Sequence, residues 1–208
     1  MRKIVFFLLW ISTILSVSAE SFCDDCDKCF PRFAIKSNLL HDAVLTPDLG
    51  VEMSLARRFS VGVEGVWAWW SRHSANRCWR IYGGWAHMDY WFGRQSNERA
   101  LTGHHVGVYG SLLSYDFEFG NTGWQSPELT YGVGLSYGYS IEIAPRLNLD
   151  FSIRVGYSGG DVVKYEPQCG QYVCLSHCFK RYFGPTDIGI TLVWFPGKGR
   201  RNNPDFGL

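Results

Sequence analysis

The feature that most constrains this chain runs from Tyr131 to Tyr157, where two segments alternate on either side of a short turn. In the first, Tyr131, Val133, Leu135, Tyr137, Tyr139, Ile141 and Ile143 fall on one face, and Gly132, Gly134, Ser136, Gly138, Ser140 and Glu142 on the other. After Ala144-Pro145-Arg146 the pattern resumes, with Leu147, Leu149, Phe151, Ile153, Val155 and Tyr157 opposing Asn148, Asp150, Ser152, Arg154, Gly156 and Ser158. A period of two belongs to a strand with unlike faces. Both segments exceed the usual strand of about five to six residues and reach the roughly 9–11 tilted residues that a strand needs to cross a bilayer. Small and charged residues on one side, with aliphatic and aromatic ones on the other, make the pattern of a membrane barrel. Its polar face points inward and its apolar face toward lipid.

The N-terminus reads as an export signal. Met1-Arg2-Lys3 is basic, Ile4 to Val17 is apolar, and Val17-Ser18-Ala19 is a small-residue cleavage site. A secretory signal peptide over 1–19, used by the Sec route and cleaved after Ala19, is the expectation. A Cys-rich periplasmic segment (20–32), a β-barrel (33–196) and a C-terminal tail (197–208) follow. A net charge of +1 makes no electrostatic case for nucleic acid. Mean hydropathy of −0.09 and the lack of a second long apolar run argue against a helical membrane protein, whereas a barrel escapes hydropathy because alternate residues are polar.

The expected fold is all-β: an eight-stranded antiparallel up-and-down transmembrane β-barrel in the bacterial outer membrane. Its strands are expected at about 33–40, 48–55, 59–70, 78–92, 103–116, 129–143, 147–158 and 185–195. Ala56-Arg57-Arg58 and Ala144-Pro145-Arg146 suit short periplasmic turns, and 159–184 suits a long external loop. Gly93 to Thr102 is long for a periplasmic turn. Aromatics make up 16% of the chain and fall into two sets. Trp67, Trp69, Trp70, Trp79, Tyr115, Phe117, Tyr131 and Tyr157 are expected at the external rim, and Trp91, Phe92, Trp194 and Phe195 at the periplasmic rim. A soluble eight-stranded ligand-binding barrel in the periplasm is the alternative, but it would carry apolar residues inside and polar ones outside.

The inward set contains Lys36, Glu52, Glu64, His87, Asp89, Glu142, Asp150, Arg154 and Asp187. Three-residue turns at 56–58 and 144–146 would pair Leu55 with Phe59. They would also place Glu52 opposite Gly62, Glu64 opposite Gly50, Asp150 opposite Ser140 and Arg154 opposite Ser136. Eight strands leave room only for side chains or one small ligand, and buried charges must be paired. Lys36, Glu52, Glu64, Asp89, Glu142, Asp150 and Arg154 are therefore expected to form a structural charge network that fills the lumen, with no cofactor or metal.

Seven cysteines stand as Cys23, Cys26 and Cys29, then Cys78, then Cys169, Cys174 and Cys178. Export makes disulfides the default over metal capture, and topology puts Cys78, Cys169, Cys174 and Cys178 on the external side. They are the disulfide candidates, with three possible connectivities. Tyr165, Tyr172, Phe179, Arg181 and Tyr182 make the 159–184 segment the candidate contact surface, since aromatic and Arg side chains anchor interfaces; a capping loop that shields the lumen is the alternative. No G-x-S-x-G, H-E-x-x-H or phosphate-binding loop occurs. A non-enzymatic protein is expected, with a lipid-modifying outer-membrane enzyme as the weaker reading.

Phe33-Ala34-Ile35-Lys36-Ser37-Asn38-Leu39-Leu40-His41-Asp42-Ala43-Val44-Leu45-Thr46-Pro47, Cys78 to Gly84, Leu101 to Gly110 and Arg146 to Phe151 carry a resemblance. Over about 33–197 the chain resembles a domain-of-unknown-function family of small secreted proteins from Bacteroides-type bacteria, often encoded near fimbrial assembly genes. The resemblance implies an outer-membrane barrel in contact with lipid. It suggests a fimbrial or other surface protein as partner and brings no site residues. The cysteine clusters and the tail from Gly197 to Leu208 depart from the family's pattern.

Overall fold

The computed structural model describes residues 33–196 apart from 57, 73–76, 121, 169 and 170. The expected signal peptide, the Cys23-Cys26-Cys29 segment, Cys169 and the C-terminal tail lie outside the described residues. Those described are almost wholly strand: β1 (Phe33–Asn38), β2 (Asp48–Ala56), β3 (Phe59–Arg72), β4 (Arg77–Phe92), β5 (Gly103–Phe119), β6 (Thr122–Gln125), β7 (Thr130–Ala144), β8 (Leu147–Gln168) and β9 (Gln171–Trp194). Two short helices, α1 (Leu39–Ala43) and α2 (Gln95–Glu98), complete them.

All nine strands belong to one antiparallel sheet. β1 pairs with β2 on one side and β9 on the other. The ladder then passes through β3, β4, β5, β7 and β8 to reach β9, so it returns to its start. Eight strands make this circuit. The ninth, β6, corrects the expected count. It sits beyond the end of β7, pairing with β5 through Phe117 and Trp124 and with β8 through Trp124 and Lys164. Residues 117–128 read as a loop because Gly120, Gly123 and Pro127 interrupt the pattern. Yet β5 and β8 outrun β7, and their backbone groups need partners. Gly120, at φ +68°, turns the chain back to supply them.

A second correction concerns 159–184, expected as a loop. β8 runs for 22 residues and β9 for 24, paired from Gly159 with Arg181 out to Gln168 with Gln171. Gly159-Gly160 and Gly184-Pro185 hid this hairpin, and a register shift between Arg154 and Val155 accommodates Pro185. The tight turns also differ in detail. Ala56 pairs with Phe59 and Ala144 with Leu147, which makes Leu55 and Ile143 the extra residues of bulges. Within the strands the expected register holds: Glu52 faces Gly62, Gly50 faces Glu64, Ser140 faces Asp150 and Ser136 faces Arg154.

Burial is inverted relative to a water-soluble core. Val63, Val108, Leu135 and Ile188 stand more than half exposed on the outer face, whereas Lys36, Glu52, Asp89 and Asp150 are at most 5% exposed inside. Apolar clusters flank the charged residues. At one end Ala34, Trp91, Ala100, Leu101, Val193 and Phe195 cluster, which explains the length of the Gly93–Thr102 connection: it folds Ala100 and Leu101 into the opening. Trp91 and Phe195 therefore leave the expected periplasmic belt for the interior, while Trp194 stays outside at 46% exposure. Toward the other end Val66, Trp85 and Tyr109 pack with Ile81 and Leu113. β4 comes close to β5 at Gly83, whose φ is +146° and where a Cβ would run into the Leu112 carbonyl.

Candidate functional site

Between these apolar clusters, alternation delivers charged side chains to one level from most strands of the circuit. Lys36 of β1 pairs with Glu52 of β2, Nζ to Oε2, at 2.8 Å. Arg154 of β8 donates to Glu64 of β3 at 2.7 Å and to Asp187 of β9 at 3.1 Å. Its guanidinium also lies 5.7 Å from the centre of the Trp85 ring and 5.9 Å from that of Tyr109. Asp150 of β8 sits 2.9 Å from His105 Nε2, whose ring stacks on Trp91 at 4.4 Å. Asp89 of β4 accepts from Ser136 at 3.1 Å and lies 3.5 Å from His87 Nε2.

Space for these groups comes from glycine on the neighbouring strand. His87 faces Gly62, Asp89 faces Gly107 and His105 faces Gly138. At each of these glycines a Cβ would collide with the side chain opposite. The sequence rule that large charged groups oppose small residues thus extends around the circuit.

Six of the seven expected network residues meet here: Lys36, Glu52, Glu64, Asp89, Asp150 and Arg154. Glu142 does not. It lies beyond the last interior layer, 40% exposed, and pairs with Arg99 from the α2 connection. Asn148 takes the interior place nearest it, donating to the Leu101 carbonyl at 2.9 Å. Sequence reasoning missed His105 and His41 as members. Strand parity could have found His105. His41 is held by tertiary contact: its Nδ1 donates to Asp48 at 2.6 Å and its Nε2 to Asp187 at 3.0 Å, which ties α1 across the mouth. Burial alone would lower the His41 pKa, but the hydrogen bonds to Asp187 and Asp48 outweigh it and raise it to about 10.

Within the extended hairpin, Tyr165 donates to Asp116 at 2.6 Å, and Arg80 lies 3.4 Å from the same carboxylate. Tyr165 is 6% exposed, and burial with the hydrogen bond to Asp116 raises its pKa. It is an anchor of the hairpin, not the contact residue expected. Phe179 and Tyr182 are about half exposed, and the Arg181 guanidinium lies 5.6 Å from the Phe179 ring centre. The side chain of Tyr172 lies outside those described.

Cys78, Cys174 and Cys178 are free thiols, so the expected double staple does not form among the described residues, and Cys169 lies outside them. Cys78 faces Glu118 across the ladder and reaches Asp116 at 3.8 Å.

A closed antiparallel ladder with a buried charged interior and an apolar outer face places the chain among all-β proteins built from one sheet. A family model described as "Protein of unknown function (DUF3575)" matches residues 4–195, and the chain belongs to that family. No curated protein and no solved structure matches it.

Proposed function

We infer that this chain is a non-enzymatic outer-membrane β-barrel that presents the β8–β9 hairpin as a surface for protein contact. One observation carries the reading: the large apolar residues of the circuit are exposed on its outer face, while Lys36, Glu52, Asp89, Asp150 and Arg154 are buried inside. Water would penalise that outer face; a bilayer would solvate it. Trp67 at 71% and Trp69 at 56% exposure suit the headgroup level near the hairpin end. A soluble ligand-binding barrel would need the reverse distribution. A lipid-modifying enzyme would need a base available at the rim, and His41 has both nitrogens engaged by carboxylates.

The test is membrane fractionation with electrophoresis before and after boiling. The expected result is recovery in the outer-membrane fraction and a folded band that migrates faster than the heated one. Release with periplasmic contents in the absence of detergent would sink the reading. For the contact surface, the resemblance to proteins encoded near fimbrial genes points to a fimbrial or other surface protein. Replacing Phe179, Arg181 and Tyr182 together with serine is expected to abolish recovery of that partner from the cell surface while leaving the heat-modifiable band intact.

A further inference from the structure

We propose that Glu52, His87 and Asp89 bind a divalent transition metal of the zinc class inside the barrel. The three lie on one short arc of the interior. Glu52 of β2 faces Gly62 of β3, and Gly62 faces His87 of β4. Because Gly62 has no side chain, the carboxylate and the imidazole confront each other across an open strand position. Asp89 follows two residues along β4, on the same face. One donor atom from each of the three lies within 4.8 Å of the others, so a modest contraction would bring all three to the roughly 2.0–2.2 Å of zinc–nitrogen and zinc–oxygen bonds.

A second observation, independent of the cluster itself, concerns unused donors. Glu52 is 1% exposed, yet its Oε1 has no hydrogen-bond partner among the described residues, since Lys36 occupies only Oε2. The His87 side chain is 3% exposed, and neither of its ring nitrogens has a hydrogen-bond partner among the described residues. Buried polar atoms in such a state cost free energy unless something satisfies them. A cation bound by these atoms would do so.

Charge points the same way. Glu52 pairs with Lys36, Glu64 and Asp187 with Arg154, Asp150 with His105 and Asp48 with His41, while Asp89 lies beside His87 and His105. Even with His41 and His105 both charged, six carboxylates stand against four cations. A divalent ion supplies the missing charge, with His87 neutral as its ligand. An imidazole with two carboxylates suits zinc better than magnesium or calcium, which prefer oxygen alone.

The experiment refolds the full chain in detergent with Zn2+ as the only added metal, removes loose ion by desalting, and measures retained zinc and its X-ray absorption spectrum. One zinc per chain with a nitrogen and oxygen shell near 2.0–2.1 Å is expected. The variant His87→Gln should lower zinc affinity by more than the 10–100-fold lost when only a supporting residue is removed. Sulfur at about 2.3 Å would assign the ion to the cysteines and overturn the proposal. So would retention of no zinc, or an affinity unchanged in His87→Gln. Because the spectrum is read on the unmodified chain, the proposal stands or falls even where the variant fails to fold.

Discussion

At Gly107 a single added methyl group would occupy the space of the Asp89 carboxylate and press on the Met88 carbonyl. Because backbone lies on one side and a buried acid on the other, Gly107→Ala is expected to destabilise the fold by about 1–3 kcal/mol, the usual cost of overpacking. Urea titration of the folded band in detergent reads it. Arg154 makes the complementary case. It bridges Glu64 and Asp187, so Arg154→Met leaves the largely buried Glu64 without its guanidinium and Asp187 with His41 alone, and is expected to cost about 3–5 kcal/mol. The triple variant Arg154→Met, Glu64→Gln, Asp187→Asn should recover most of that loss. The damage comes from uncompensated charge, and neutral amides do not carry it. A triple variant as weak as Arg154→Met would show that the guanidinium acts through packing on Trp85 instead.

Among the elements, α1 is held by its charge state. His41 binds its proton more tightly in the folded chain, at a pKa of about 10 against an ordinary 6.5. Its contribution to stability is therefore full below about pH 6.5 and fades as pH rises through 10. Thermal midpoints at pH 6 and pH 10.5 should differ more for the native chain than for His41→Gln, which has no such proton to lose. Equal pH dependence in the two would remove His41 from the account. The β8–β9 hairpin is held differently, by the ladder and by the Tyr165 hydrogen bond to Asp116. That explains how a segment punctuated by glycine and proline still stands as strand beyond its neighbours.

For the whole molecule, the Ala100–Leu101 cluster fills one end of the interior, and Trp85, Tyr109 and the paired charges fill the rest. Reconstituted in a planar bilayer, the protein is expected to insert without steady single-channel conductance. Steps that persist at fixed voltage would mean that this filling opens. Removing the Leu101 and Ala100 side chains, by Leu101→Gly with Ala100→Gly, thins that cluster and is the variant in which conductance should first emerge.

Alternation in the sequence determined the strand class and the inward and outward faces, and with the turn positions at 56–58 and 144–146 it set the register of two hairpins. A period of two is a local property of the backbone, and a one-residue slip would turn every charged side chain of a strand outward. Together with the places of the two tight turns, those constraints set Glu52 opposite Gly62 and Arg154 opposite Ser136. Tertiary structure alone decided the rest. β6 exists because two neighbouring strands outrun a third, and the long hairpin exists because its two halves pair despite Gly159-Gly160 and Pro185. Glu142 left the network because the strand end passes the last layer and meets Arg99, and His41 joined it from 146 residues away from Asp187. Such contacts depend on where chain ends and connections fold in space, which no period within one strand encodes.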